Sequence, residues 1–174
     1  CGLGYGYLVV ETVLIHELVL FVGHPVYAVT VVICTMLLFS GLGSIVVGRL
    51  EEDGLTRKLQ AVLAAVLVLG LFQAFVVPGL LYQNALGLSI LARIGLTALV
   101  LAPLGFVMGM PFPLFLRVLR PDAAGMVPWA WAFNGWMSVV ASLGTVFVSR
   151  LYGYHQAFAV AIAAYVLALA MSPM

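Results

Sequence analysis

The chain is divided into six runs of roughly 20 predominantly apolar residues, the length needed to cross the hydrocarbon core of a bilayer. They cover about residues 3–22, 26–48, 59–79, 87–110, 127–150 and 154–172. Runs of this length leave a soluble fold little room, and the composition agrees. Hydrophobic residues make up 65% of the chain and charged residues 7%, where a soluble domain carries roughly 25% charged; the mean hydropathy is +1.23. The expected fold class is all-α integral membrane, a bundle of six transmembrane helices forming a single domain over residues 1–174, with the lipid bilayer as its first partner. A net charge of +1 leaves no basic surface for phosphate backbones, which excludes nucleic acid as a partner.

The first run, GLGYGYLVVETVLIHELVLFVGHP, carries Glu11 near its centre and His16 and Glu17 beyond it. A charge at the bilayer midplane costs roughly 2.5–3.5 kcal/mol on insertion scales, so such groups face protein, water or a ligand and mark candidate sites. Arg93, about two turns into the fourth run, and Asn134, about two turns into the fifth, complete the set of candidate substrate-binding residues: Glu11, His16, Glu17, Arg93 and Asn134. Each also has an ordinary structural reading. Arg93 can snorkel to the interface, and Asn134 needs only a hydrogen-bond partner. At about 100° per residue, Glu11 lies roughly 140° from His16 and 240° from Glu17 around a regular helix. The three therefore cannot converge on one metal cage or acid–base dyad. No catalytic residue and no metal ligand set is assigned. The three histidines do not amount to a haem or pigment motif, and no cofactor is implied.

The basic residues set the orientation. Arg49, Arg57, Lys58, Arg117 and Arg120 fall on the side of the N-terminus, while Arg150 falls opposite, with Arg93 a short way inside the fourth run. The positive-inside rule places the N-terminus, the 49–58 and 111–126 loops and the C-terminus in the cytoplasm. Of the two cysteines, Cys34 reads as a small buried apolar side chain. A lipid on Cys1 would have to lie on the outer face, against this topology. A chain that opens in mid-run without an initiator Met reads as a piece of a longer protein.

Small residues mark the packing seams. Gly2 and Gly6 make a GxxxG step, Ser40, Ser44 and Gly48 recur every fourth residue on the second run, and Gly105 and Gly109 form a second small-residue step. Gly2, Gly4 and Gly6 are no dinucleotide loop, because no strand precedes them. Gly23-His24-Pro25 predicts a tight outer turn. Pro78-Gly79 predicts the end of the third run, before a polar turn at Tyr82, Gln83 and Asn84, and Pro103 a kink in the fourth. Leu114 to Arg120 reads as a short amphipathic piece lying on the inner surface. Three tryptophans around Asn134 read as an aromatic belt, and the sixth run, with His155 and Tyr165, as packing.

The segment GSIVVGRLEEDGLTRKLQ resembles the loop between the second and third helices of a major-facilitator-type half. The segments YLVVETVLIHELVLFVGHPVYA, LLFSGLGS, GMPFPL and PWAWAFNG, in that order over most of the chain, are similar to the membrane region of bacterial spermidine/spermine synthase-like proteins. There, multispanning helices accompany a soluble aminopropyltransferase-like domain. The Glu of that group's V-E-x-x-L-I pattern matches Glu11, and its GHP matches Gly23, His24 and Pro25. The group's next two residues, Gln and a basic residue, are replaced by His16 and Glu17, which inverts a charge. The resemblance implies a bacterial inner-membrane protein and a soluble aminopropyltransferase-like domain as partner. The glycine-rich and acidic machinery of aminopropyl transfer is not in these residues.

Two functions follow as expectations. The bundle is a membrane anchor or scaffold, or an accessory subunit of a larger membrane complex, with Glu11 hydrogen-bonded to Asn134 or to a backbone carbonyl. Alternatively it is a half-transporter or small-solute site, in which Glu11 binds a cation or cycles a proton and His16, Glu17 and Asn134 line the path.

Overall fold

The computed structural model describes residues 2–119 and 125–171, with the side chain of His155 outside that description. Cys1, Arg120 and the end of the sixth run at residue 172, all used above, lie outside the described residues. The described chain forms eight helices: α1 (Gly2–Val22), α2 (Pro25–Gly48), α3 (Leu55–Phe75), α4 (Val77–Asn84), α5 (Ile90–Met108), α6 (Pro111–Val118), α7 (Val127–Tyr152) and α8 (Tyr154–Ala170). No strand occurs among the described residues.

Five helical stretches are long and apolar enough to cross a membrane: α1, α2, α3 with α4, α5 with α6, and α7. The sixth, α8, has 17 residues, the lower limit for a crossing. Two boundaries differ from the sequence expectation. Pro78 does not end the third stretch. It falls in the first turn of α4, where a missing backbone N–H breaks no bond, so the helix resumes after Val76 and reaches Asn84. The fourth stretch likewise continues beyond Gly109 and Met110, because Pro111 opens α6. The amphipathic piece expected over Leu114 to Arg120 is thus part of that continuing helix, its Leu114 fully buried. The Gly23-His24-Pro25 turn forms as expected, with Gly23 at φ 86° and Pro25 opening α2.

The first run is the centre of the molecule. Helix α1 packs against α2, α7, α8, α5 and α4. Half of its span is buried, against 11% for α7. Val9, Val10, Val13, Leu14, Phe21 and Val22 of α1 are all buried, and they join Val32 and Met36 of α2, Leu101 of α5 and Tyr165 of α8 in one core.

The glycines explain how closely the helices approach. A β-carbon on Gly6 would stand 2.6 Å from the ring of Tyr165, Gly2 faces the carbonyl of Ala164, and Gly4 lies against Asn134. Gly105 packs on Met36 and Phe39, while Gly109 sits on the backbone of Ser40. The expected seam on α2 is corrected. Ser44 and Gly48 are exposed, and the close approach is made by Gly43, against Phe106 and Met110. The buried face of α2 runs through Ala28, Val32, Met36, Gly43 and Val47, a spacing near four residues that keeps one stripe turned inward. Cys34 lies off that stripe and is exposed, not buried.

Several of the pairings run between two groups of helices. If α1, α2 and α3–α4 form one triplet and α5–α6, α7 and α8 the other, α1 packs on α7 as α5 packs on α2. Likewise α1 packs on α8 as α5 packs on α3, and α3 meets α8. Within the triplets the contacts differ: α1 packs closely on α2 and α7 on α8, whereas α5 scarcely meets α7, and α2 scarcely meets α3.

Two arginines fasten this arrangement at opposite ends. Arg93 of α5 donates from Nη1 to the carbonyl of Phe21 at 3.2 Å, from Nε to that of Leu88 at 3.1 Å, and from Nη2 to that of Leu86. Arg117 of α6 donates to the carbonyls of Val47 and, at 2.9 Å, Leu50. Each places a cation where the last carbonyls of a helix lack intrahelical partners, α1 for one and α2 for the other.

Candidate functional site

The expected site residues are distributed over five places. Glu11 is half-buried near the middle of α1. Tyr7 lies one turn earlier on the same face of α1. The Tyr7 hydroxyl donates to Ser40 Oγ across the α1–α2 contact at 3.5 Å. Behind Tyr7 stands Tyr165 of α8, buried and packed onto Gly6.

Asn134 is at the other end of α1, against Gly4, and its Oδ1 has no hydrogen-bond partner among the described residues. Seven residues separate Gly4 from Glu11, roughly 10 Å along the axis. The expected Glu11–Asn134 hydrogen bond is therefore not made.

Glu17 points away from Glu11, toward α4. The Tyr82 hydroxyl donates to the Glu17 carbonyl at 2.9 Å, and Phe21 meets the Tyr82 ring edge-on at 6.2 Å. Glu17, Gln73 and Tyr82 line a crevice of about 10 Å³, room for one water at most. His16 is exposed and stacks on Tyr154, ring centroids 4.9 Å apart. Arg93 sends its donors to the carbonyls described above.

The angular separation read from the sequence is thus reproduced: Glu11, His16 and Glu17 leave α1 in three directions. A larger crevice of about 340 Å³ opens near the start of α1, lined by Gly2, Tyr5, Met137, Ala164, Leu167, Ala168 and Met171. It is apolar and contains none of the expected site residues. Among the described residues no three His, Cys, Asp or Glu side chains gather as a metal site would require.

Sequence reasoning singled out neither Tyr7 nor Tyr82. The four-residue step from Tyr7 to Glu11 was available as a one-face signal, but the partnership with Ser40 depends on helix packing. Comparisons with protein-family models, with curated proteins and with solved structures found no match.

Proposed function

We propose that the chain is a membrane-embedded helical domain acting as an anchor or scaffold, either within a spermidine synthase-like membrane protein or as an accessory subunit of a larger membrane complex. The observation that carries this reading is the asymmetry of burial. Helix α1 is enclosed by its neighbours, while α7 presents Trp129, Trp131, Trp136, Leu143 and Phe147 outward. A helical surface this apolar requires lipid or another membrane helix as its solvent. Six crossings, a bacterial inner-membrane location and cytoplasmic termini complete the proposal. They are supported by the basic residues near the α2–α3 connection: Arg117 bonds the end of α2, and Lys58 bonds the Glu51 carbonyl at 2.8 Å. A soluble aminopropyltransferase-like partner is proposed from the sequence resemblance alone.

The test combines extraction with side-specific labelling. The protein is expected to stay in the membrane fraction through alkaline carbonate washing. In a background where Cys1 and Cys34 are replaced by Ser, an impermeant maleimide should label Leu86→Cys in intact spheroplasts and Asp53→Cys only after lysis. Release by carbonate, or labelling of both positions from one side, overturns the reading.

A further inference from the structure

We propose that Glu11, Tyr7 and Ser40 form an intramembrane site that exchanges a small monovalent cation, a proton or a sodium-sized ion, with the aqueous phase. The site stands on placement and on charge. Glu11 lies near the centre of a 21-residue helix, roughly 30 Å long, so its carboxyl is at mid-membrane depth. Among the described residues it has neither an ion pair nor a hydrogen bond, and a carboxylate in a low-dielectric setting needs a positive charge close by.

The titratable groups on the surrounding helices do not supply one. On α5, Arg93 is committed to the carbonyls of Phe21, Leu86 and Leu88. On α8, Tyr154 stacks on His16, and on α4 Tyr82 bonds the Glu17 carbonyl. Cys34 of α2 and Arg150 of α7 are exposed. Tyr7 remains, with Tyr165 behind it, and both are neutral donors.

What these neighbours provide is oxygen. The Tyr7 and Ser40 hydroxyls are joined at 3.5 Å, a loose contact, and Tyr7 sits one turn from the carboxyl. Carboxylate and hydroxyl oxygens are the donors a hard monovalent cation takes, and a hydroxyl pair can also relay a proton. Glu11 is only half-buried, so its carboxyl is not sealed inside the bundle. Leu8 and Ile15, which lie within about 60° of Glu11 around the helix, are also partly exposed. The proposal rests on the membrane-embedded reading above but not on the scaffold role, since an anchor with or without this site has the same fold.

The test uses the full chain in liposomes and the membrane-soluble reagent dicyclohexylcarbodiimide, which modifies protonated carboxyls, with the adduct located by mass spectrometry. Label is expected on Glu11 at pH values where the loop residues Glu51 and Glu52 stay unmodified. It should increase as pH falls, vanish in Glu11→Gln, and change its pH midpoint in Tyr7→Phe and Ser40→Ala. Protection by sodium at constant ionic strength identifies a sodium-sized ion, and indifference to sodium identifies the proton; both support exchange. A Glu11 adduct insensitive to pH and sodium marks a sealed carboxyl and overturns the proposal. So does no adduct in the folded protein when the same peptide labels after unfolding. Size-exclusion profiles of the variants matching the parent show that loss of label is not loss of fold.

Discussion

Gly6 is where one hydrogen atom decides a helix contact. The Tyr165 ring occupies the space a β-carbon would take, and Tyr165 is itself buried. Gly6→Ala should therefore destabilise the protein by about 1–3 kcal/mol, the usual range for overpacking. Gly41 has nothing within 4 Å of its would-be β-carbon, so Gly41→Ala is expected to stay within about 0.5 kcal/mol of the parent. Thermal unfolding of both variants in one detergent checks the pair. Gly2 and Gly6 announced this contact in the sequence because their spacing puts two small residues on one helical face. The seam on α2 was misread for a related reason. Ser40, Ser44 and Gly48 share a face, but only Ser40 meets α5, because spacing identifies a face without saying which neighbour covers it. Glu11 was legible as a polar group within an apolar run, whereas the Tyr7–Ser40 contact one turn away was not, since it spans 33 residues.

At the scale of the helix, the informative features are the ends. Arg93 holds the last turn of α1 and Arg117 that of α2. Hydrogen bonds involving a charged partner contribute about 1.5–3 kcal/mol each when buried, and less where water competes. Arg93→Ala and Arg117→Ala should each lower stability by about 1–3 kcal/mol. Arg93→Lys should recover only part of the loss, because a single ammonium cannot serve carbonyls that a planar guanidinium reaches from three nitrogens. Unfolding temperatures give the size of the effect. Hydrogen exchange localises it, with faster exchange expected near Phe21 for one variant and near Val47 for the other. From sequence, Arg93 read first as a snorkelling residue and second as a partner for Glu11, Glu17 or an anionic ligand, since no pattern announces a backbone carbonyl as a ligand. The prolines were legible as breaks but not as restarts. Pro78 and Pro111 both stand in the first turn of a following helix, and whether a chain leaves the bilayer or begins a new helix there depends on what the next turn can bury.

For the whole molecule, the gradient of burial from α1 to α7 carries a quantitative expectation. Phe21 is 0% exposed and Phe147 69% exposed. Phe21→Ala should cost about 3–5 kcal/mol, as truncations in a packed core do. Phe147→Ala should shift the unfolding midpoint in detergent little, because micelle and membrane replace its neighbours equally well. Comparable losses at both sites would mean that α7 is covered by a partner that survives purification. The helical class and the approximate extent of the long apolar helices were readable because hydrophobic length is a local property of the chain. The central position of α1 and the exchange of partners between the triplets were not, because a membrane helix that is apolar on every side carries no mark of which side turns inward.

The placement of Arg93 and Arg117 also constrains the order of assembly. The α1–α2 hairpin leaves the ribosome before α5 and α6, which carry the guanidinium groups bonded to its terminal carbonyls. In the membrane setting proposed above, the early hairpin would rely on water, lipid headgroups or the insertion machinery at both its ends until that later segment is in place. A nascent chain halted before Arg93 would hold a hairpin that has been inserted but not yet locked.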